Sequence, residues 1–364
     1  MQIKSLKIEN FRNIEKEKIE FSPGVNLLYG QNAQGKTNIL EAIYYFARGK
    51  SFRSATDSEL KRFGEDGFYI ELDYEKEGKK QNLSYRVYGK EKKKKKNGAE
   101  EEKIVDMLGH FRAVIFFPEH LMLVKEGPSF RRDFVNVGIS QIKPMYMTVY
   151  SEYNKILENR NAIIKNAQKG LFYDEEQLRI WSAALAKRAA YINEKRYEYV
   201  KKIEKSAKKI LFELSDGKEE LTLEYKSDCI ERENLEEQYL SILNNSIDRE
   251  ISAGCTLFGV HRDDIEIKIN KIMARSYASQ GQQRSIVLAL KIAEGEVCRE
   301  ECGEYPVFLF DDVLSELDEK RRAAIMKKSD EKQILITACE KNGFDENEVN
   351  VIKVEKGKYV PAYR

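Results

Sequence analysis

Eight residues near the start of the chain, Gly30-Gln31-Asn32-Ala33-Gln34-Gly35-Lys36-Thr37, have the spacing Gly-x4-Gly-Lys-Thr. That spacing suits a polyphosphate. Glycines let backbone N–H groups converge on one point, a following helix aims its N-terminal dipoles there, and Lys36 adds a point charge. Thr37 offers its hydroxyl to Mg²⁺, a hard ion that takes oxygen ligands, and Asn38 follows at the same loop–helix junction. A second group, Val307-Phe308-Leu309-Phe310-Asp311-Asp312, ends an apolar run in two carboxylates. Asp311 is expected to hold Mg²⁺ or its waters. Asp312 is expected to orient or deprotonate an attacking water, since phosphoryl transfer depends on positioning and charge more than on covalent help. Lys36, Asp311 and Asp312 are therefore the candidate catalytic residues. A third group, Ser279-Gln280-Gly281-Gln282-Gln283-Arg284, places Ser279 and Gln282 three residues apart as a capping box. A glycine among donors at a helix N-terminus also makes Ser279, Gly281 and Gln282 a candidate anion site.

Each group needs an element to hold it. Alternation through Ile3, Leu6, Ile8 and Phe11, then Ile19 and Phe21, predicts strands that lead into a buried strand at Val25-Asn26-Leu27-Leu28-Tyr29. From Thr37 to Ala47 the apolar residues recur at helical spacing, so the glycine loop lies between a strand and a helix, as phosphate binding requires. Residues 68–90 return to period two and predict antiparallel strands, with the run Lys92 to Lys96 on an exposed loop at their tip. A stripe through Leu178, Trp181, Leu185, Ala189, Ile192 and Ile203 predicts a helix from roughly Glu175 to Leu214, about 60 Å long at 1.5 Å per residue. Strand signals resume from Ile265, and Pro306 to Phe310 and Gln333 to Thr337 read as buried strands of a parallel sheet. Both chain ends thus have α/β character and flank a helical middle.

Composition sets the remaining bounds. The 364 residues suggest two domains or one domain with a large insertion. With 41% apolar and 34% charged residues the chain is too ionic for a membrane protein, and its apolar runs fall far short of the ~20 residues of a spanning helix. Its start carries no secretory pattern, so a cytoplasmic location is expected. The five cysteines include no Cys-x-x-Cys pair and are read as reduced thiols. Sixty-three basic against sixty-one acidic residues give a net charge of +2, so any polyanion must be met by a local patch. Two patches qualify: Lys92–Lys96, and the predicted helix from Lys187 to Lys209 with Lys187, Arg188, Lys195, Arg196, Lys201, Lys202 and Lys205. No base-reading motif accompanies either, which predicts backbone-led binding with little sequence preference. His261 and Arg262 read as a polar strand entry, Arg262 being paired with Asp263 or Asp264.

Seven motifs now stand in order over nearly the whole chain: Phe11-Arg12-Asn13, the glycine loop, Phe117-Pro118-Glu119, Arg131-Arg132-x-Phe134, Gly259-x-His261-Arg262-Asp263-Asp264, Ser279 to Arg284, and Asp311-Asp312-x-Leu314-Ser315-Glu316-Leu317-Asp318. In this the sequence resembles the RecF family, bacterial recombination and replication-gap repair ATPases of the SMC/ABC type. The resemblance implies an ABC-type P-loop ATPase head with an inserted, mainly helical second lobe: residues 1–125 and 290–364 in the first lobe, 126–289 in the second. It implies ATP and Mg²⁺, with Arg12 and Asn13 near the nucleotide and Glu119 beside the metal and γ-phosphate. The Ser279–Gln282 signature would contact nucleotide bound to a second copy, in an ATP-dependent homodimer with Ser315 to Asp318 at the dimer face. It further implies binding to duplex DNA and single/double-strand junctions, cooperation with RecO and RecR to load RecA, release on slow hydrolysis, and no membrane partner. The alternative is the nucleotide-binding subunit of an ABC transporter, whose signature would read Leu-Ser-Gly-Gly-Gln where this chain has Ser-Gln-Gly-Gln-Gln.

Overall fold

The computed structural model describes residues 1–229, 231–313, 317–327, 329–341, 344 and 349–361. They fall into two compact units. One comprises Met1–Leu121, Glu213–Gly217 and Arg284–Arg364; the other comprises Met122–Phe212 and Lys218–Gln283.

The first unit is built on two six-stranded sheets. One is antiparallel throughout, in the order Ile14–Glu20, Gln2–Phe11, Gly67–Lys76, Lys79–Tyr88, Glu91–Lys96, Ala99–Glu101. The other has the order Lys358–Pro361, Val349–Glu355, Val25–Tyr29, Ile334–Ala338, Val307–Asp311, Ala113–Phe116, and is parallel except at the Lys358–Pro361 edge. Helix Lys36–Arg48 touches strands of both sheets. That position explains why it buries ten of its thirteen residues rather than a single stripe. Tyr45 meets Phe68 and Tyr85 edge-on, at 6.1 and 5.0 Å between ring centroids.

The lysine run departs from expectation. Lys92–Lys96 is not a loop but most of the strand Glu91–Lys96, in register with Lys79–Tyr88 from Leu83↔Lys96 to Tyr88↔Glu91. Lysine is a poor strand former by itself. Here the ladder and the opposing side chains decide, and long charged side chains are tolerated close to a sheet edge.

The second unit is mainly helical. Its long helices are Pro128–Ile142, Met145–Gln168 and Glu175–Leu214, the last with the bounds expected from the sequence. Leu178, Leu185, Ala189, Ile192 and Ile203 are buried, while Trp181 is only partly so. The unit also holds a three-stranded antiparallel sheet, Ile272–Met273, Asp264–Ile269 and Leu221–Lys226. The last of these strands was not legible, because its outward residues are as charged as the neighbouring helices.

Two arginine–carboxylate pairs are sealed inside this unit. Arg160, fully buried, donates to Glu250 at 2.6 Å and to Thr256 and Ser182 at 2.7 and 3.0 Å. Arg196, also fully buried, donates to Asp263 at 2.9 Å. Asp264 receives both Nε and Nη2 of Arg131, at 2.7 and 2.9 Å. The two aspartates therefore serve Arg196 and Arg131, not Arg262 as expected; Arg262 is exposed. The burial of Arg196 also removes it from the basic surface that the Lys187–Lys209 stretch was expected to offer.

Candidate nucleotide site

Three parallel strands end side by side in the first unit, with Leu28 opposite Thr337 and Thr337 opposite Asp311. In open α/β sheets the crevice beyond such carboxyl ends is where ligands sit. The glycine loop leaves Tyr29 and turns into helix Lys36–Arg48 through three left-handed positions, Gly30 (φ 156°), Ala33 (φ 62°) and Gly35 (φ 111°). A Cβ on Gly30 would stand 2.2 Å from the Val354 carbonyl oxygen, and one on Gly35 would stand 2.9 Å from Asn13 Oδ1. Glycine is therefore required twice, by backbone angle and by space. Gly35 is the N-cap and supplies no side-chain acceptor, and the helix's first turn has no acidic residue. The positive end of the helix dipole is left for an anion.

Lys36 is buried, and its ammonium donates to the carbonyls of Gly30 and Gln31. The remaining loop residues are tied down from outside. Asn32 Oδ1 accepts from the Cys339 thiol at 3.0 Å, Gln34 O accepts from Gly357 N at 3.0 Å, and Gly35 O accepts from the Tyr359 hydroxyl at 3.2 Å. Lys356 N donates to Gln34 Oε1 at 2.6 Å. The hairpin near the C-terminus thus braces the loop.

Thr37 and Asp311 are brought together across 274 residues of sequence, with the Thr37 hydroxyl 2.9 Å from Asp311 Oδ1. The same carboxylate oxygen accepts from Thr337 Oγ1 at 2.8 Å, and Thr337 Oγ1 accepts from Asp312 N at 2.9 Å. Burial raises the Asp311 pKa, opposed by the Thr337 and Thr37 hydrogen bonds, which favour the anion. Asp312 takes a left-handed backbone (φ 52°), so its side chain leaves the strand in a different direction from that of Asp311. A hydroxyl beside a buried carboxylate is an all-oxygen donor pair, and its chemistry fits Mg²⁺. Glu119, the third expected metal ligand, is exposed on the single turn Pro118–Leu121 after Ala113–Phe116, the strand next to Val307–Asp311. No hydrogen bond links it to Thr37 or Asp311.

Arg12 and Asn13 lie on the other side of the loop. Arg12 Nε and Nη2 donate to the two oxygens of Glu41 at 2.8 and 2.7 Å. Glu41 is fully buried one turn beyond Thr37, and it also accepts from Ser51 Oγ at 2.5 Å. Asn13 Oδ1 accepts from Asn38 Nδ2 at 2.8 Å. Arg12, Asn13 and Asn38 line one cleft of about 1160 Å³ together with Lys61, Arg62 and Phe63. Thr337 and Glu41 were missed by sequence reasoning. For Thr337 a signal existed: it is a hydroxyl at the C-terminal end of an apolar strand, level with an aspartate. Glu41 sits within a helical repeat and gave none.

The Ser279–Gln282 segment forms the expected capping box on helix Gln280–Cys302. Ser279 N donates to Gln282 Oε1 at 2.8 Å, and Gln282 N donates to Ser279 Oγ at 3.2 Å. The helix begins at Gln280, directly after that cap. Gln282 Nε2 donates to Glu219 at 2.9 Å, so both ends of its amide are occupied. Ser279 keeps its hydroxyl proton, since its oxygen acts only as acceptor in the box. Ser315 and Glu316, expected at a dimer face, lie outside the described residues. Asp318 caps helix Glu319–Met326 by accepting from Arg321 N at 2.9 Å.

The family description RecF/RecN/SMC N terminal domain matches residues 2–359. A DNA replication and repair protein RecF from Clostridioides difficile (strain 630) is 39% identical, over 99% of this chain and 98% of that protein. Among solved structures, the recombination mediator protein RecF with ATP, in the RecFOR pathway, superposes with a TM-score of 0.92 at 36% identity, covering 100% of this chain and 98% of the other. An Smc head domain from Pyrococcus furiosus, bound to the C-terminal domain of ScpA, gives a TM-score of 0.55 at 17% identity, covering 99% of this chain and 96% of the other. This last likeness speaks for the fold alone.

Proposed function

The chain belongs to the RecF family, and from that premise we propose that it is a DNA-binding ATPase of replication and recombinational repair, in which ATP joins two copies on DNA and hydrolysis releases them. The observation that carries the reading is Thr37 Oγ1 at 2.9 Å from Asp311, at the foot of a glycine loop whose lysine is buried. Gly30 to Thr37 and the first turn through Asn38 would hold the triphosphate, with Lys36 as the cation on it. Thr37 and Asp311 would hold Mg²⁺, which supplies charge neutralisation on the phosphate oxygens. Asp312 would hold the attacking water and accept its proton. Arg12, kept straight by Glu41, would flank the nucleotide with Asn13. ATP as ligand is supported by the ATP-bound relative.

The finer steps come from the family and from the signature. Ser279 would offer its hydroxyl proton to triphosphate bound by a second copy, and Gly281 would leave the backbone there open to close approach. Gln282, whose amide also clamps the cap and meets Glu219, would stand with them at that triphosphate. Cooperation with RecO and RecR and the loading of RecA are proposed because the solved relative is placed in the RecFOR pathway. The transporter alternative gains nothing from the comparisons. Among the described residues, no helix is long and apolar enough to cross a membrane. Hydrolysis measured against protein concentration tests the reading: the rate per molecule should rise with concentration and fall at least 10²-fold, an order-of-magnitude expectation, in Asp312→Asn with ATP binding intact. A concentration-independent rate, or an active Asp312→Asn, would overturn it.

A further inference from the structure

The strand made by the lysine run has two faces, and its lysines divide between them. Lys92 pairs with Asp57, Lys94 Nζ donates to the Glu102 carbonyl at 2.8 Å, and Lys96 Nζ lies 3.1 Å from His110 Nε2. These three point toward the body of the unit. Lys93 and Lys95 stand on the opposite, open face, and the strand register extends that face across the whole antiparallel sheet. One row runs Lys16, Glu9, Tyr69, Arg86, Lys93; the next runs Lys18, Lys7, Glu71, Ser84, Lys95, Glu100.

Counted from those registers, the two rows carry six cations (Lys7, Lys16, Lys18, Arg86, Lys93 and Lys95) against the three carboxylates Glu9, Glu71 and Glu100. Glu9 is shared by Lys7 and Lys16, and Glu91 at the margin lies 3.4 Å from Lys93. Tyr69 sits at the centre, with Lys7 and Arg86 at 5.2 and 5.3 Å from its ring centroid. The row beyond is acidic, with Glu20, Ser5, Asp73 and Asn82 in register, so the face is polarised. From Lys18 to Lys95 the basic rows cross five strands, about 19 Å at ~4.8 Å per strand, roughly half a turn of duplex.

The rival surface is self-neutralised in part. On helix Glu175–Leu214, Arg196 is buried, Arg188 pairs with Glu152, Lys195 with Glu194 and Glu198, Lys201 with Glu204, and Lys208 with Glu220.

We propose that the open face of the antiparallel sheet, through Lys93, Lys95, Arg86, Lys7 and Lys18, is the surface that grips the phosphate backbone of duplex DNA, and that the inward lysines of the same run are structural. The inference rests on the DNA-binding reading above and locates it. Phosphate contacts without base readout release counterions, and each steepens the log–log salt dependence of affinity by about 0.9.

The test is fluorescence anisotropy with ATP and a labelled duplex over a salt series. It compares the wild type, Lys93→Gln/Lys95→Gln, and Lys94→Gln/Lys96→Gln, each first shown to bind ATP normally. The outer pair should lose roughly 60-fold in affinity at 0.1 M salt and flatten the slope by about 1.8, while the inner pair stays within about threefold with an unchanged slope. Lys93→Arg/Lys95→Arg should restore both. An outer pair that binds as the wild type does, or a loss that appears instead in Lys187→Gln/Lys205→Gln/Lys209→Gln, overturns the assignment and leaves DNA binding standing. A wild type that fails to bind duplex at all overturns both.

Discussion

Thr337→Val tests whether the hydroxyl relay at the strand ends matters. The substitution keeps shape and β-branching but removes one oxygen, which donates to Asp311 at 2.8 Å and accepts from Asp312 N at 2.9 Å. Thr337 is about 1% exposed, so water does not readily replace it. A hydrogen bond to a charged group is worth about 1.5–3 kcal/mol, and a stranded buried N–H costs about 1–3 kcal/mol. A loss of about 2 kcal/mol in folding stability is expected, read by denaturant unfolding at neutral pH. Asp311 also loses one of two hydroxyls that fix its rotamer, and Asp312 loses the contact that holds its left-handed backbone. If half of that energy bears on metal affinity, the Mg²⁺ concentration for half-maximal hydrolysis rises about fivefold, since 1.4 kcal/mol is a factor of ten. Thr337→Ser should behave nearly as the wild type. A valine variant with unchanged Mg²⁺ dependence and unchanged stability would refute the relay.

Further expectations concern the second unit. Arg196→Ala leaves Asp263 buried without its cation and should cost about 3–5 kcal/mol in denaturant unfolding, a structural penalty that salt does not rescue. His261 touches the Tyr153 hydroxyl at 2.7 Å, and burial lowers its pKa to about 4. Between that value and the unfolded value near 6.5 the unfolded chain binds the extra proton, so this contribution is complete above ~6.5 and is lost as pH falls toward 4. Allowing for its partial exposure, His261→Gln should remove about 2 kcal/mol of the stability difference between pH 7 and pH 4; an identical pH dependence in the variant would show that His261 titrates normally.

The parts of the site legible in the sequence are those whose physics is local. Gly30 to Thr37 carries its own backbone requirements, Ser279 and Gln282 close a box over three residues, and the apolar stripe from Leu178 marks a helix with its ends. What could not be read depends on partners distant in the chain. Thr37 and Asp311 were each legible, but their meeting across 274 residues is a property of strand order. The lysine run pointed to a solvated loop because local propensity disfavours lysine in strands, and only the register with Leu83–Tyr88 overrode it. Arg12 was assigned to the nucleotide by resemblance; its bidentate grip by a buried glutamate within helix Lys36–Arg48 had no sequence signal.

Sedimentation velocity with and without ATP and duplex DNA bears on the central idea that two copies share the nucleotide. Wild-type protein should pass from monomer to dimer only with ATP, Asp312→Asn should stay dimeric in ATP without decay, and Ser279→Arg should bind ATP yet remain monomeric. A Ser279→Arg protein that dimerises like the wild type, or a wild type that stays monomeric at saturating ATP and DNA, would contradict it.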